Sequence, residues 1–260
     1  EVHWPSDYEL DLLEGEIKTH PRQMRKCDLL LSIGGDGTFL SAARLISGLQ
    51  TPILGVHTGK TGFLTDYPVN GLKKALNEIV NGSISMVPRL MLDIKVTVGT
   101  KKIFEDTILN DIQIKPSHTR GMVNLKVQVN DKYLTDYWAD SLLISTPTGS
   151  TAYNLAAGGP IVYPTSETVV INPVNPPSLS VRPLVVPANA KLHFKENENT
   201  PSLLILDGRL EKEIPAEALI EIKRSPHVTH FVKSKSYGFV DALREKLGWE
   251  GNFRNTRIKN

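Results

Sequence analysis

Short apolar runs broken by glycine open the readable part of this chain. Residues 28–33, Asp-Leu-Leu-Leu-Ser-Ile, run straight into a glycine cluster and predict a buried strand. From Phe39 to Ile46 apolar residues recur at helical spacing and stop near Gly48, which predicts a helix. Residues 52–56, Pro-Ile-Leu-Gly-Val, predict a second short strand, and residues 72–80 a second helix halted at Asn81-Gly82. Strand, helix, strand, helix with short connections is the order of a doubly wound layer on a parallel sheet. No clear first strand precedes it, so an N-terminal β-α unit of that layer is expected to be missing from this stretch.

From about residue 86 the period changes to two. Residues 92–98 and 123–129 alternate apolar and polar, and each run closes on a turn pair, Gly99-Thr100 or Asn130-Asp131. Such runs are half-buried antiparallel strands. Residues 141–145, 168–171, 203–206 and 219–222 predict further strands. The proline-dense stretch 172–187 excludes helix and predicts a connection between strands. Residues 237–247 read as a helix closed by Gly248, and a helix this late is expected to pack back on the first domain. The expected architecture is therefore an α/β Rossmann-like domain, residues 1–85 completed by 236–260, and a β-rich domain, residues 86–235. The tail from 253 to 260 reads as frayed.

Composition narrows the setting. The chain has 260 residues, 40% of them hydrophobic, which is ample material for one large or two small cores. Thirty basic against 28 acidic residues leave a formal charge of +2, so no basic excess asks for nucleic acid or a membrane surface. No apolar run approaches the roughly 18 to 20 residues of a membrane span. The first residues lack the basic and apolar regions of a signal peptide. A lone cysteine, Cys27, excludes an internal disulfide, suits a reducing compartment and reads as a core residue. The seven histidines show no HxxxH-type spacing, so no metal site built from protein ligands is expected. A cytoplasmic globular protein is the expectation.

The strongest candidate for chemistry is Gly34-Gly35-Asp36-Gly37-Thr38, between a strand and a helix. Glycines admit a ligand close to the main chain, and the helix start offers free N–H groups to phosphate. A carboxylate there repels phosphate unless it accepts a proton from an attacking hydroxyl or holds Mg²⁺. The plainer alternative is that Asp36 caps the helix. Residues 55–61, Gly-Val-His-Thr-Gly-Lys-Thr, imitate a phosphate loop but have three residues between the glycines where four are required. His57 and Lys60 can still touch phosphates at that strand end, or simply face solvent.

Two further clusters are polar without excess charge. Residues 145–154, Ser-Thr-Pro-Thr-Gly-Ser-Thr-Ala-Tyr-Asn, offer hydroxyls and amides suited to sugar and base edges, with Tyr153 able to stack. A plain loop is the alternative. Asn110-Asp111 lies in an apolar strand context, where burial requires partners such as a ribose diol, or else an Asx turn. Asp140 poses the same question. No G-x-S-x-G elbow supports a nucleophilic triad.

Taken in order, GGDGT at 34–38, GFLTD at 62–66, Asn110-Asp111, STPTGSTAY at 145–153 with GGPI at 158–161, RPLV at 182–185 and KLGW at 246–249 resemble the NAD kinase family. The likeness runs from about Cys27 to Trp249. The resemblance implies phosphoryl transfer from ATP or inorganic polyphosphate, with Mg²⁺ carried chiefly by the donor phosphates, to the 2′-hydroxyl of the adenosine ribose of NAD. It implies Asp36 as general base with Gly37 beside it, and Gly34, Gly35, Gly37, His57 and Lys60 toward phosphate. Asn110 and Asp111 would hold the adenosine half. Thr151, Ala152, Tyr153 and Asn154 would line its pocket, with Ala156 near the edge and Asp140 on the preceding strand. A homodimer or homotetramer is implied, with Asn175 and Arg209 as candidates for contacts across subunits. Asp111 stands where the family often has Glu, and Ser141 where it usually has Gly. A lipid kinase sharing the GGDG turn, or a silent dinucleotide-binding module, are the alternatives.

Overall fold

The computed structural model describes residues 3–5, 17–19, 27–59, 62–117, 121–198, 200–235 and 237–249. Lys60 and the tail from 253 to 260 lie outside the described residues. Two sheets carry most of what is described: a mixed nine-stranded sheet and an antiparallel six-stranded one. A small parallel pair, His3–Pro5 with Ile17–Thr19, stands apart.

The mixed sheet contains the α/β part. Leu30–Ile33 and Ile53–His57 pair in parallel, and Tyr67–Pro68 adds to the latter. Helix α1 (Asp36–Leu45) follows the first strand, and α2 (Leu72–Val80) follows the third. Ile53–His57 is buried along almost its whole length, as a continuous apolar run in a parallel sheet should be. Leu30–Ile33 departs from the expected burial: Leu31 and Ile33 are 38% and 46% exposed. It is the last strand on the sheet path, so only α1's side is covered among the described residues.

One long strand joins the two halves. Leu219–Ser234 pairs antiparallel with Ile84–Val98 along most of its length, then meets Ile53 in parallel at Phe231. Periodicity located only residues 219–222 of it. A bulge between Arg224 and Val228 resets the register, and Pro226 and His227 interrupt the alternation there. The expected boundary at 85–86 falls inside strand Ile84–Val98.

The six-stranded sheet runs Leu184–Pro187, Thr168–Val174, Ser141–Ser145, Asp111–Pro116, Ser202–Leu206, Leu210–Ile214. Alternate residues such as Ile112, Ile114, Leu142, Ile144, Leu204 and Leu206 are inaccessible and face a shared core with Ile94, Phe194 and Ile222 of the mixed sheet. The proline-dense stretch is partly strand, since Asn172 to Val174 and Leu184–Pro187 pair in register with their neighbours. Strands Lys101–Ile108 and Leu210–Ile214 were not anticipated, because charged residues at successive positions mask their alternation; Lys132–Ala139 was not anticipated either.

Helix α3 (Tyr153–Ala156) is a single turn, and α4 (Phe239–Leu247) is closed by Gly248 in the left-handed region. From α4, Phe239 meets Tyr163 edge-on at 5.3 Å, and the Lys246 ammonium lies 4.3 Å from the Phe63 ring centre. The last helix thus touches the loop after Ile53–His57 as well as the β-rich half.

Phe231 is 1% exposed and packs on Phe39 of α1 with ring centres 4.6 Å apart. Phe231→Ala opens a cavity where both halves meet and is expected to cost about 3–5 kcal/mol. Urea denaturation midpoints of the two proteins check this.

Candidate active site

The chain leaves the mixed sheet at Ile108 and enters the other at Asp111, turning a corner at Leu109-Asn110. A buried corner of this kind must find partners for main-chain groups that no ladder satisfies. Asp207 supplies them, accepting from the amides of Leu109 (3.1 Å), Asn110 (2.6 Å) and Asp111 (3.3 Å). Thr146 answers from the other side: its hydroxyl donates to the Leu109 carbonyl (2.6 Å) and its amide to the Asn110 carbonyl (2.9 Å). Three strand ends of the six-stranded sheet therefore converge here.

The α/β part closes the space. Asp36 is the first residue of α1, and Gly35 occupies the cap position with no side-chain cap. Its carboxylate turns instead to the next loop, accepting from the amides of Phe63 (2.8 Å) and Leu64 (3.1 Å) and from the Thr65 hydroxyl (3.5 Å). Residue 62 must be glycine for this, because any side chain there would overlap the carboxylate.

Between these parts lies a cavity of about 240 Å³. Asp36, Leu40, Phe63 and Leu64 form one wall. Asn110, Asp111, Asp207 and Gly208 form the second, and Thr148, Thr151, Ala152 and Tyr153 the third. Asn110 Oδ1 and Thr148 Oγ1 are buried on these walls without a hydrogen-bond partner. The structure thus brings together Asp36, Asn110, Asp111, Thr151, Ala152 and Tyr153 from three separate segments of the expected site.

Other expected residues lie elsewhere. Asn154 is fully buried; its amide donates to the carbonyls of Ser150 (3.1 Å) and Pro160 (3.0 Å), and its oxygen accepts from Asn172 (3.1 Å). It shapes the loop and is not on the cavity wall. Ala156 is exposed at the end of α3, outside the lining. Asp140 and Asn175 are exposed and paired with each other at 3.1 Å. Arg209 folds back within its own chain, donating to the Ser41 hydroxyl (2.5 Å). Its guanidinium fills the space that a side chain on Gly37 would need, so Gly37 faces Arg209 rather than an open phosphate site. The Gly34 amide is taken by the Val56 carbonyl (2.9 Å), whereas Gly35 opens onto free space. His57 Nδ1 lies 2.8 Å from the Gly59 carbonyl.

Sequence reasoning missed Asp207 and Gly208. The signal was present: an Asp-Gly pair after the apolar run 203–206 is a hairpin turn, and both residues have positive φ, 49° and 67°. Nothing local announces that Asp207 also serves the corner almost a hundred residues upstream.

A phosphotransferase is the class that this fold and cavity define, and the comparisons agree. Residues 10–84 match the ATP-NAD kinase N-terminal domain, and residues 109–234 the ATP-NAD kinase C-terminal domain. An NAD kinase of Geobacter metallireducens is 40% identical over 223 residues, covering 85% of this chain and 79% of that protein. One of Cytophaga hutchinsonii is 35% identical over 240 residues, 91% and 81% of the two chains. The crystal structure of yeast NADH kinase complexed with NADH superposes with a TM-score of 0.86 at 27% identity, covering 93% of this chain and 72% of that one. An Archaeoglobus fulgidus NAD kinase in complex with ATP shares the fold, with a TM-score of 0.73 at 23% identity over 91% and 89% of the chains. The chain belongs to the NAD kinase family. Its activity is the ATP-dependent phosphorylation of NAD to NADP.

In the fold the Asp111 carboxyl is pushed up from 3.8 to about 7, first by burial and then by the charge of Asp207. Burial also raises Asp207, although three amides and Arg44 oppose the rise. Between its two values the native state keeps a proton on Asp111 that the unfolded chain has released. Stability therefore falls as pH rises from about 4 to about 7 and levels off above that. Asp111→Asn is expected to remove this residue's share of the slope. Urea midpoints of both proteins at about pH 5 and about pH 8 measure it.

Proposed function

We propose that the cavity receives the adenosine half of NAD and that Asp36 orients the ribose 2′-hydroxyl and takes its proton. One observation carries this reading: the Asp36 carboxylate stands on the cavity wall, opposite Asn110-Asp111 and the hydroxyl-rich loop. An ionised carboxylate has about four acceptor sites, so the contacts from residues 63–65 leave capacity for a substrate hydroxyl. Those same contacts fix its direction, which a positioning base requires.

Asn110 and Asp111 suit the ribose diol. Asp111 brings one buried carboxyl, and Asn110 an oxygen still lacking a partner. Aspartate reaches one methylene less far than the glutamate common in the family, and Asp207 offsets this by holding the main chain of residues 109–111 against the cavity. Tyr153, 44% exposed at the rim, offers a face for the adenine, beside Thr151 and Ala152.

The transfer itself needs alignment and charge neutralisation more than covalent help. The 2′-oxygen forms the new bond to phosphorus, the bond to the departing ADP oxygen breaks, and the hydroxyl proton passes to Asp36. The open main chain at Gly35 lies at the start of α1, on the side where donor phosphates would approach. Among the described residues no three metal-ligating side chains gather. Mg²⁺ would be held chiefly by the donor's own phosphates and would supply charge neutralisation there. Inorganic polyphosphate presents the same terminal group as ATP and is proposed as an alternative donor.

The exposed Asp140–Asn175 pair lies away from its own cavity, which supports a role toward a second copy of the chain in a homodimer or homotetramer. Arg209, bound to its own α1, is assigned to its own subunit. No described helix is long and apolar enough to cross a membrane. The lone cysteine supports a cytoplasmic setting.

Asp36→Asn keeps the contour of the wall and removes the base. It is expected to retain NAD-induced thermal stabilisation while NADP formation falls about 100-fold or more. A coupled NADP assay beside a melting curve with NAD checks both; undiminished turnover would sink the role of Asp36.

A further inference from the structure

Three cations gather on one side of the Gly62–Asp66 loop, outside the cavity lining. Arg89 is 8% exposed, and its Nε and Nη1 have no hydrogen-bond partner. Lys233 is held 2.6 Å from Asp66 Oδ1, while Asp66 Oδ2 is buried without a partner. Arg89 and Lys233 both lie on the Phe231 ring, 5.1 and 5.6 Å from its centre. The third cation, Lys246, comes from the last turn of α4 and lies 4.3 Å from the centre of the Phe63 ring. Against these three stand three carboxylates, Asp36, Asp66 and Glu245, each already bonded.

Lys246 is only partly buried and, unlike Lys233, forms no ion pair within 4 Å among the described residues. Phe63, whose face it covers, lines the cavity and donates its amide to Asp36. The ammonium thus sits one residue from the carboxylate that faces the acceptor. Burial pulls its pKa down to about 8, and Asp36 is the acid that does most to sustain its charge. An ammonium without an ion partner, set beside a base and backed by two unmet donor nitrogens of Arg89, suits a polyanionic leaving group.

We propose that Lys246 contacts the transferable phosphate of the donor, with Arg89 and Lys233–Asp66 as the fixed positive background behind it. The C-terminal helix then belongs to the catalytic cleft. The acceptor enters on the cavity side of Phe63, and the donor tail lies against the Lys246 side. This rests on the cavity being the acceptor half, which NAD-induced stabilisation of the parent protein tests by itself.

The alternative is structural: Lys246 merely holds Phe63 and complements the negative end of α4. Lys246→Met keeps the apolar stem on the ring and deletes the charge. Steady-state kinetics with ATP and Mg²⁺ are expected to show kcat/KM for ATP about 100-fold lower. The NAD-induced rise in melting temperature should stay unchanged, and Lys246→Arg should recover most of the loss. Unaltered ATP kinetics in Lys246→Met overturn the proposal. So does an equal loss of NAD stabilisation, which would leave only the structural role. Should that variant be unstable, amine acylation of Lys246 in the parent protein decides, read by peptide mass. Protection by ATP with Mg²⁺ is expected, and equal labelling with and without ATP overturns the assignment.

Discussion

The carboxylate of Asp207, accepting three main-chain N–H groups from Leu109 to Asp111, holds the corner at which the chain changes sheets. Without it the corner would bury three donors, each costing about 1–3 kcal/mol if left unmet. Because the corner is satisfied, strand Lys101–Ile108 can end in one sheet while Asp111–Pro116 begins the next. Asn110 and Asp111 then stand on the cavity wall. The same turn carries Arg209 to Ser41 of α1, so one hairpin tip fixes the corner and braces the helix that bears Asp36.

Carboxylates held by backbone amides recur on both sides of the cavity. Asp36 depends on the amides of residues 63 and 64, as Asp207 depends on those of 109 to 111. Amides orient a carboxylate without neutralising it by a full opposite charge, so the local field stays negative on the acceptor side. The cations, in contrast, are grouped beyond Phe63. In the proposed reading, that division separates a nucleophile's side from a leaving group's side. It is built from main-chain geometry, one aromatic ring and the Lys233–Asp66 ion pair. Asp111 bears the cost of the arrangement, since its own charge is disfavoured by its neighbour and by burial.

Much of the fold was readable from periodicity. The first two parallel strands, α1, α2, the alternating run at 123–129 and the strand at 141–145 lie where the sequence placed them, within a residue or three. The failures share a cause. Lys101–Ile108 and Leu210–Ile214 lie at hairpin positions where one face meets solvent, so charge replaces the polar half of the pattern and spills into the rest. Leu219–Ser234 was cut short because its bulge breaks the period that identifies a strand.

The individual site motifs were visible as residue types: a carboxylate amid glycines, an Asn-Asp pair, a hydroxyl-rich turn. Local sequence also determined which segments are strand ends, since turn residues mark them. Only the tertiary structure decided which side chains face the cavity. Asn154 turned inward because the loop's own carbonyls needed a donor, and Arg209 crossed to α1 because the hairpin tip ends beside it. Asp207 became part of the site through contacts across about a hundred residues, and no local pattern encodes a distance of that kind. Periodicity reports which face of an element is buried; what that face meets depends on how the two sheets are stacked.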